Sequence, residues 1–270
     1  MLCPKKQKVC ILGLGYIGLP TAVSLAYKGI EVHGCDNNVD VIDQLNAGRV
    51  HFSEPGLTKL LCKAVNYGNL HFDSVPTQAD YYIICVPTPM NNDGSQNTEI
   101  VSEVLTELRE SKISSFVALK STIHPGNIKK IQNLYPKFIL NPEFLREKHA
   151  ELDFINSDLI VFGGDKDVSK IFSDFYSRHT KCICDDHFFT DLATASLIKY
   201  TINSFLATKV TFFNEINNLF NLQQTDENWD NFIAAISRDK RMGGSHMSVP
   251  GPDGRYGFGG ACFPKDTSAI

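Results

Sequence analysis

The sequence predicts an α/β protein built on a parallel sheet. Short runs of apolar β-formers alternate with segments whose apolar residues recur at helical spacing, as in Lys8–Leu12 followed by a helix over 19–27. The run 81–86 is apolar throughout, which is typical of a strand buried on both faces of a parallel sheet. Strands that alternate with helices favour a right-handed α/β sheet over a β-sandwich or a helical bundle.

A glycine-rich turn lies between the first strand and the first helix. Its residues are Gly13, Leu14, Gly15, Tyr16, Ile17 and Gly18. This G-x-G-x-x-G spacing is followed, 18 residues after its last glycine, by Asp36 at the end of a second strand, Glu31–Cys35. The first two glycines would allow the turn and the approach of a pyrophosphate, and the third would let the helix pack on the strand. An ordinary strand-to-helix turn is the alternative interpretation.

The setting of this turn predicts a dinucleotide site and a Rossmann-type doubly wound sheet. The helix N-terminus offers N–H donors to a phosphate, and Asp36 would accept hydrogen bonds from ribose hydroxyls. A carboxylate repels a 2′-phosphate, so we expect NAD rather than NADP as cofactor.

Further strands and helices follow in order. Helices are predicted over 38–46, from residue 53 onward, over 99–110 and after residue 126. Strands are predicted over 70–72, 116–119, 138–140 and 159–162, the last one ended by Gly163 and Gly164. Ligands of doubly wound folds bind beyond the carboxyl ends of the strands. We therefore expect this edge to carry Val86, Pro87, Thr88, Pro89, Ser121 and Thr122.

From about residue 191 the pattern changes to a long helix. Residues 191–222 contain no Gly or Pro, and a helix of this length is on the order of 45 Å long at 1.5 Å per residue. One face would consist of Lys199, Asn203, Leu206, Val210 and Phe213. A lysine on such a face needs a partner or a ligand, unless it extends to solvent.

The change of pattern predicts two domains. Residues 1–190 would form the NAD-binding domain, and residues 191–270 a helical middle domain with a further helix over 228–237.

Composition and charge narrow the class of protein. The 270 residues are 43% apolar and 21% charged, as in an ordinary globular protein. A net charge of −4 gives no electrostatic reason to expect nucleic acid, and no apolar run approaches the roughly 20 residues that cross a bilayer. Eight cysteines show no disulfide framework, and Cys182 and Cys184 lack the second Cys or His pair of a zinc site. We expect reduced thiols, a cytoplasmic location and no metal.

A cluster of chemically active residues lies near the C-terminus. Three glycines lead to Cys262, and Pro264 suits the first turn of a helix. A thiol ahead of a helix N-terminus, with Lys265 nearby, is expected to have a pKa below about 8.5 and to supply a thiolate nucleophile. Asp266 would handle a proton. The alternative is a tight glycine turn with a buried cysteine.

Several strings together resemble the UDP-glucose/GDP-mannose dehydrogenase family. They are GLGYIGLP at 13–20, EPGL at 54–57, VPTP at 86–89, ST at 121–122, NPEFLRE at 141–147, LIKYTINSFLATKVTFFNE at 197–215 and GFGGACFPKD at 257–266. The strings occur in order along nearly the whole chain, and NPEFLRE with GGACFPKD is highly specific. The resemblance implies oxidation of C6 of a nucleotide sugar to the uronate by two NAD-dependent hydride transfers. UDP-glucose is favoured, with GDP-mannose and UDP-N-acetylhexosamines as alternatives.

The resemblance also implies a role for each matched catalytic residue. Cys262 captures the aldehyde as a thiohemiacetal, which the second oxidation converts to a thioester for hydrolysis. Lys199 and Asn203, one turn apart, stabilise negative charge on the C6 oxygen. Asp266 orients Lys199 or the hydrolytic water. Glu143 is the general base, acting through a water that Thr122 helps to hold.

Binding residues follow from the same resemblance. Besides the glycine-rich turn and Asp36, the implied cofactor contacts are Val86, Pro87, Thr88, Pro89, Ser121, Thr122, Glu147 and Lys265. The implied substrate contacts are Glu143, Phe144, Leu145, Arg146, Glu147, Lys199, Asn203, Arg241, Tyr256, Gly257, Phe258 and Gly259. Arg241 matches an arginine that reaches the neighbouring subunit's site, which implies a homodimer.

Three positions depart from the family pattern. Val41 stands where a Lys or Arg is usual, so weaker cofactor affinity is expected; Lys148 replaces a Gly or Ser, and Ser196 replaces a Glu. The resemblance further leads us to expect that the usual third, UDP-binding domain is missing from this chain. An alternative function is therefore a catalytically weak NAD-binding or assembly module.

Overall fold

The computed structural model describes residues 7–270 apart from 113–114, 146–152, 154–155, 181 and 185. The chain forms two compact units. One consists of the segment ending at Pro89 together with Asn97–Lys199, and the other of Met90–Gln96 and Tyr200–Ile270. The division falls within the long helix, whereas the predicted boundary at 190/191 stays a prediction.

An eight-stranded sheet organises the first unit. Its strands are β1 (Lys8–Leu12), β2 (Glu31–Cys35), β3 (Leu70–Asp73), β4 (Tyr81–Ile84), β5 (Phe116–Leu119), β6 (Phe138–Leu140), β7 (Ile160–Gly164) and β8 (His187–Thr190). They lie in the order β3-β2-β1-β4-β5-β6-β7-β8. The first six strands pair in parallel, with β1 aligned to β2 from Lys8↔Glu31 to Leu12↔Cys35. The order 3-2-1-4-5-6 is that of a doubly wound dinucleotide-binding sheet, and it confirms the predicted fold class.

The last two strands run opposite to the others. Strand β7 pairs antiparallel with β6, at Ile139↔Gly164, and parallel with β8. The sheet is therefore mixed rather than purely parallel. The prediction that Gly163 and Gly164 end the strand was wrong, because both belong to it. A Cβ on Gly163 would lie 2.3 Å from the Cβ of Ala195, so glycine is needed for the helix that starts at Leu192 to pack on β7.

Helices cover both faces of the sheet. In the first unit they are α1 (Gly18–Tyr27), α2 (Val39–Asn46), α3 (Leu57–Asn66), α4 (Glu99–Glu110), α5 (Ile128–Leu134) and α6 (Lys166–His179), with a 3₁₀ turn over Pro125–Asn127. Helix α3 starts four residues after the predicted position, because Gly56 takes a left-handed conformation (φ +85°) directly before it. Neither α6 nor β8 was predicted, although Asp165 caps α6 by accepting from the N–H groups of Asp167 and Val168.

Two apolar clusters lie on opposite faces of the sheet. On β1, Val9 and Ile11 enter one cluster while Cys10 and Leu12 enter the other. All four residues of β4 are buried, which confirms that this strand is covered on both faces.

Helix α7 (Leu192–Leu222) begins in the first unit and continues into the second. Its buried positions in the second unit include Asn203, Ala207 and Phe213, while Leu206 and Val210 are only partly buried. The second unit also contains α8 (Trp229–Ile236) and α9 (Phe263–Ala269). Within the described part of the chain, no helix has both the length and the apolar character needed to cross a membrane.

Candidate active site

The glycine-rich turn has the geometry of a phosphate-binding turn. Gly13 has φ +89°, and a Cβ there would lie 2.8 Å from the carbonyl oxygen of Cys85. A Cβ on Gly18 would lie 1.8 Å from the carbonyl oxygen of Gly13, so the first and third glycines are required by packing. Gly15 differs, because a Cβ there would meet nothing within 4 Å. Gly15 lies three residues before α1, whose N-terminus has no side-chain cap.

Asp36 closes the same site from the end of β2. Its Oδ2 accepts from the Leu14 N–H at 2.8 Å, and its Oδ1 accepts from the Asn38 N–H at 3.0 Å. Each carboxylate oxygen has a second lone pair for a ribose hydroxyl. The open glycine, the uncapped helix start and this carboxylate fit the adenosine diphosphate part of NAD.

The segments that follow β4 and β5 are joined at the carboxyl edge of the sheet. The Thr88 hydroxyl donates to the Thr122 carbonyl oxygen at 3.1 Å, and the Ser121 hydroxyl donates to the Val86 carbonyl oxygen at 2.6 Å. Pro87 and Pro89 are exposed beside them. The structure thus brings together the residues that were predicted at this edge.

Glu143 and Lys199 form an ion pair in the first unit. The Glu143 Oε1 lies 3.5 Å from the Lys199 Nζ, and the two side chains are only 11% and 5% exposed. The other carboxylate oxygen accepts from the Leu145 N–H at 2.7 Å, and the Lys199 ammonium lies 5.5 Å from the centroid of the Phe144 ring. Lys199 is therefore buried against a partner and does not extend to solvent. Its neighbour Ser196 donates to the Ile123 carbonyl oxygen.

Asn203 and Asp266 form a hydrogen-bonded cluster in the second unit. The Asn203 Nδ2 donates to the Asp266 Oδ2 at 2.6 Å, and the Lys265 ammonium pairs with the Asp266 Oδ1. Asp266 is fully buried. It lies in the first turn of α9, which Cys262 precedes as the N-cap residue and which has Pro264 in its first turn. Cys262 is exposed, unlike the buried cysteine of the alternative interpretation.

Tyr200 is a neighbour of this cluster that the sequence analysis missed. Its hydroxyl accepts from the Gln96 Nε2 at 3.2 Å, and both side chains are buried. Burial, and then the charge of Asp266, raise the pKa of Tyr200. No periodic signal distinguishes this tyrosine from the apolar residues of α7.

The predicted substrate residues of the second unit other than Asn203 lie on exposed loops. The Gly257 N–H donates to the Asn214 Oδ1 at 2.9 Å, and Tyr256, Phe258 and Gly259 are exposed. Arg241 is bound to Asp239 of its own chain, with Nη2 and Oδ2 2.6 Å apart. Two predicted residues, Arg146 and Glu147, lie outside the described residues, as does Lys148. Among the residues described, no group of three or more His, Cys, Asp or Glu side chains could hold a metal ion.

Known proteins match this chain along almost all its length. Residues 7–180 match the NAD binding domain of the UDP-glucose/GDP-mannose dehydrogenase family, and residues 193–270 match its central domain. The chain is 32% identical over 279 residues to the UDP-glucose 6-dehydrogenase YwqF of Bacillus subtilis, covering 98% of this chain and 61% of that protein. It is also 32% identical over 286 residues to a GDP-mannose 6-dehydrogenase of Pseudomonas syringae, covering 98% and 63%.

Solved structures give the same result. A UDP-glucose dehydrogenase from Pyrobaculum islandicum superposes with a TM-score of 0.83 and 33% identity, covering all of this chain and 65% of that one. A ternary complex of GDP-mannose dehydrogenase from Pseudomonas aeruginosa gives a TM-score of 0.77 and 30% identity, covering 97% and 63%. The chain spans about three fifths of the length of the curated relatives it matches. Its cofactor is NAD, and the chain belongs to the UDP-glucose/GDP-mannose dehydrogenase family.

Proposed function

We propose that the chain oxidises C6 of a nucleotide sugar to the carboxylate in two NAD-dependent steps, with UDP-glucose as the favoured substrate. The main support is that two polar clusters coincide with the family's motifs. They are the Glu143–Lys199 pair and the Asn203–Asp266–Lys265 cluster, of which Asp266 and Lys265 lie on the helix that Cys262 precedes as N-cap residue. The preference for UDP-glucose comes from the relatives named above.

In the first step the chain's residues remove a proton and stabilise an alkoxide. Bound NAD supplies the hydride acceptor in both oxidations. Glu143 accepts the C6 hydroxyl proton, through a water held by Thr122. The Lys199 ammonium and the Asn203 amide donate to the C6 oxygen as negative charge develops on it. Both donors lie on α7, where the backbone holds them one turn apart.

In the second step the Cys262 sulfur bonds to the aldehyde carbon and gives a thiohemiacetal. Loss of the second hydride leaves a thioester, and water attacks its carbonyl carbon, which releases the uronate and restores the thiol. Asp266 orients the hydrolytic water or Lys199. Because Asn203 and Lys265 already bind its two oxygens, its position is fixed before the substrate arrives.

The stoichiometry of NADH tests this proposal. The chain should form two NADH per UDP-glucose, whereas Cys262→Ser should stall near the aldehyde stage. Cys62→Ser, at another exposed thiol, is the matched control and should behave as the unmodified chain. A panel with GDP-mannose and UDP-N-acetylhexosamines identifies the substrate. NAD binding without NADH from any nucleotide sugar at high protein concentration would contradict the proposal and favour an NAD-binding or assembly module.

We further propose that the chain acts as a homodimer in the cytoplasm. The exposed Arg241, matched to the arginine that reaches a neighbouring site, supports the dimer. A second support is an apolar stripe on the exposed side of α7, where Phe205, Phe212 and Leu219 recur every seven residues with exposures of 65%, 52% and 52%. The cytoplasmic location is supported by the cysteine distribution alone.

A further inference from the structure

A buried polar network lies next to Glu143 in the first unit. Lys120 directly follows β5 and is 5% exposed. Its Nζ donates to the Asn141 Oδ1 at 3.1 Å, and the Tyr176 hydroxyl on α6 donates to the same oxygen at 2.7 Å. The Asn141 Nδ2 donates to the Val161 carbonyl oxygen on β7 at 2.9 Å. The Asn141 side chain is thus held by three separate elements.

This network fixes the backbone that carries Glu143. Asn141 extends the pairing of β6 with β5, since its N–H donates to the Leu119 carbonyl oxygen at 3.0 Å. Only Pro142 separates it from Glu143, and the proline ring locks φ at that position. The direction in which Glu143 leaves the sheet is therefore set by Asn141 and its partners.

The charge of Lys120 also acts on Glu143. Burial lowers the pKa of Lys120, while the nearby Cys85, Glu143 and Cys182 raise it in that order. The Tyr176 ring lies 5.8 Å from the Lys120 ammonium. Glu143 is also paired with the Lys199 ammonium.

We propose that Lys120 is a positioning residue, which holds Glu143 in place through Asn141. The assignment rests on the proposed role of Glu143 as the general base. Lys120 itself touches neither the cofactor nor the substrate in this proposal.

A purely structural role for Lys120 makes a different prediction. A buried ammonium is costly for folding, and a methionine of similar length fills the same space without that cost. In Lys120→Met, the Asn141 Oδ1 would keep the Tyr176 hydroxyl, and Glu143 would keep Lys199. Both of these described groups keep a partner, so we expect the melting temperature not to fall. A structural role would instead require it to fall.

The kinetic test uses Lys120→Met in the full chain. We expect kcat to fall at least about tenfold while KM for the nucleotide sugar stays within about twofold, because substrate contacts are unchanged. The fall in kcat would follow from a less well aimed Glu143, since Asn141 loses one of the groups that hold it. Lys130→Met on α5, whose ammonium donates to the Thr98 hydroxyl at 3.0 Å, is the matched control and should alter neither quantity.

A second measurement needs no activity. Because coupling between two charges is reciprocal, Glu143→Gln should lower the pKa of Lys120, read from the NMR titration of its labelled side chain. The Lys120 signal is assigned by its loss in Lys120→Met, or in Lys120→Gln if the methionine variant does not fold. An unchanged Lys120 titration, or an unchanged kcat in an active Lys120→Met variant, overturns the inference. A shifted titration in a chain that makes no NADH would keep the coupling and reject the proposed function instead.

Discussion

Glu143 and Asp266 are two carboxylates that the chain holds in different ways. Among the described residues, Glu143 bonds the Leu145 N–H and the Lys199 ammonium, and it keeps 11% of its side chain exposed, so a proton can still reach it. Asp266 is enclosed and bonded through both oxygens. A carboxylate so engaged is suited to orient other groups rather than to exchange protons in every cycle. This difference fits the proposed division of work, in which Glu143 is the base and Asp266 the fixed group.

Replacing Asp266 by Asn tests this division. The amide keeps the shape but loses the charge that binds Lys265, and it must present its oxygen to Asn203. We expect kcat to fall at least about 100-fold and the free energy of unfolding to fall by about 1–3 kcal/mol. Steady-state NADH assays and urea unfolding measure the two effects. Asp226→Asn, at an exposed carboxylate in the same unit, should change neither, and an active Asp266→Asn would contradict the assignment.

Single substitutions also distinguish the roles of the glycines in the glycine-rich turn. Gly15→Ala adds a methyl group into open space, so we expect an unchanged melting temperature but an NAD affinity weakened by at least about tenfold, or about 1.4 kcal/mol. Gly18→Ala places the methyl group 1.8 Å from a backbone oxygen, so we expect a loss of more than about 3 kcal/mol in folding stability. Thermal unfolding with NAD titration distinguishes them. If Gly15→Ala bound NAD normally, the phosphate would not approach this backbone.

At the scale of elements, α7 serves three purposes along one length. Its first turns pack on β7 through Gly163, its middle carries Lys199 and Asn203, and its exposed side carries the apolar stripe. A single helix can do this because 3.6 residues per turn send each set of side chains in its own direction. The aromatic rings of Phe220, Trp229 and Phe232 then pack the end of α7 against α8, with centroids 5.1 to 5.6 Å apart.

The apolar stripe on α7 predicts self-association that a single charge should disrupt. In Phe212→Glu, a carboxylate would be buried at the proposed interface, so we expect a dimer to become a monomer with unchanged helix content. Asn218→Glu is the matched control, because it is exposed on the same helix about 120° away from Phe212. Sedimentation velocity over a range of concentrations gives the result. A dimer that survives Phe212→Glu would remove α7 from the interface.

For the molecule as a whole, the sequence predicts the features that depend on local patterns better than the features that depend on contacts between distant residues. The bounds of β1, β2 and α4 agree with the structure, because period and flanking residues specify each of them locally. The direction of β7 could not be predicted, since a strand has the same period in either direction. The Lys120 network depends on Tyr176 of α6, which is far from Lys120 and Asn141 in the sequence, so no local pattern predicts it.

The pH dependence of stability combines titrating groups from across the structure. Burial raises the pKa of Cys10 to about 11, and those of Cys35, Cys85 and Tyr82 to about 12, so the native state resists their ionisation. Their contribution is complete below the ordinary values of 9.0 for the thiols and 10.0 for the phenol, and it is lost as pH rises toward the folded values. Each contributes a slope of up to about 1.4 kcal/mol per pH unit.

Three histidines and Lys120 change the free energy of unfolding in the opposite direction as pH rises. Burial lowers the pKa of His33, His51 and His179, so their contribution is present above pH 6.5 and is lost as pH falls through the folded values. Because the pKa of Lys120 is lowered, its contribution to the free energy of unfolding increases as pH rises toward 10.5. The thiols and phenols with raised pKa values decrease the free energy of unfolding over the same range. We therefore expect the free energy of unfolding, measured by urea titration, to be greatest between about pH 7 and 9. In Cys85→Ala the free energy of unfolding should decline less steeply at alkaline pH, because one titrating group is removed. A free energy of unfolding that keeps rising above pH 10 would contradict the buried state of these thiols.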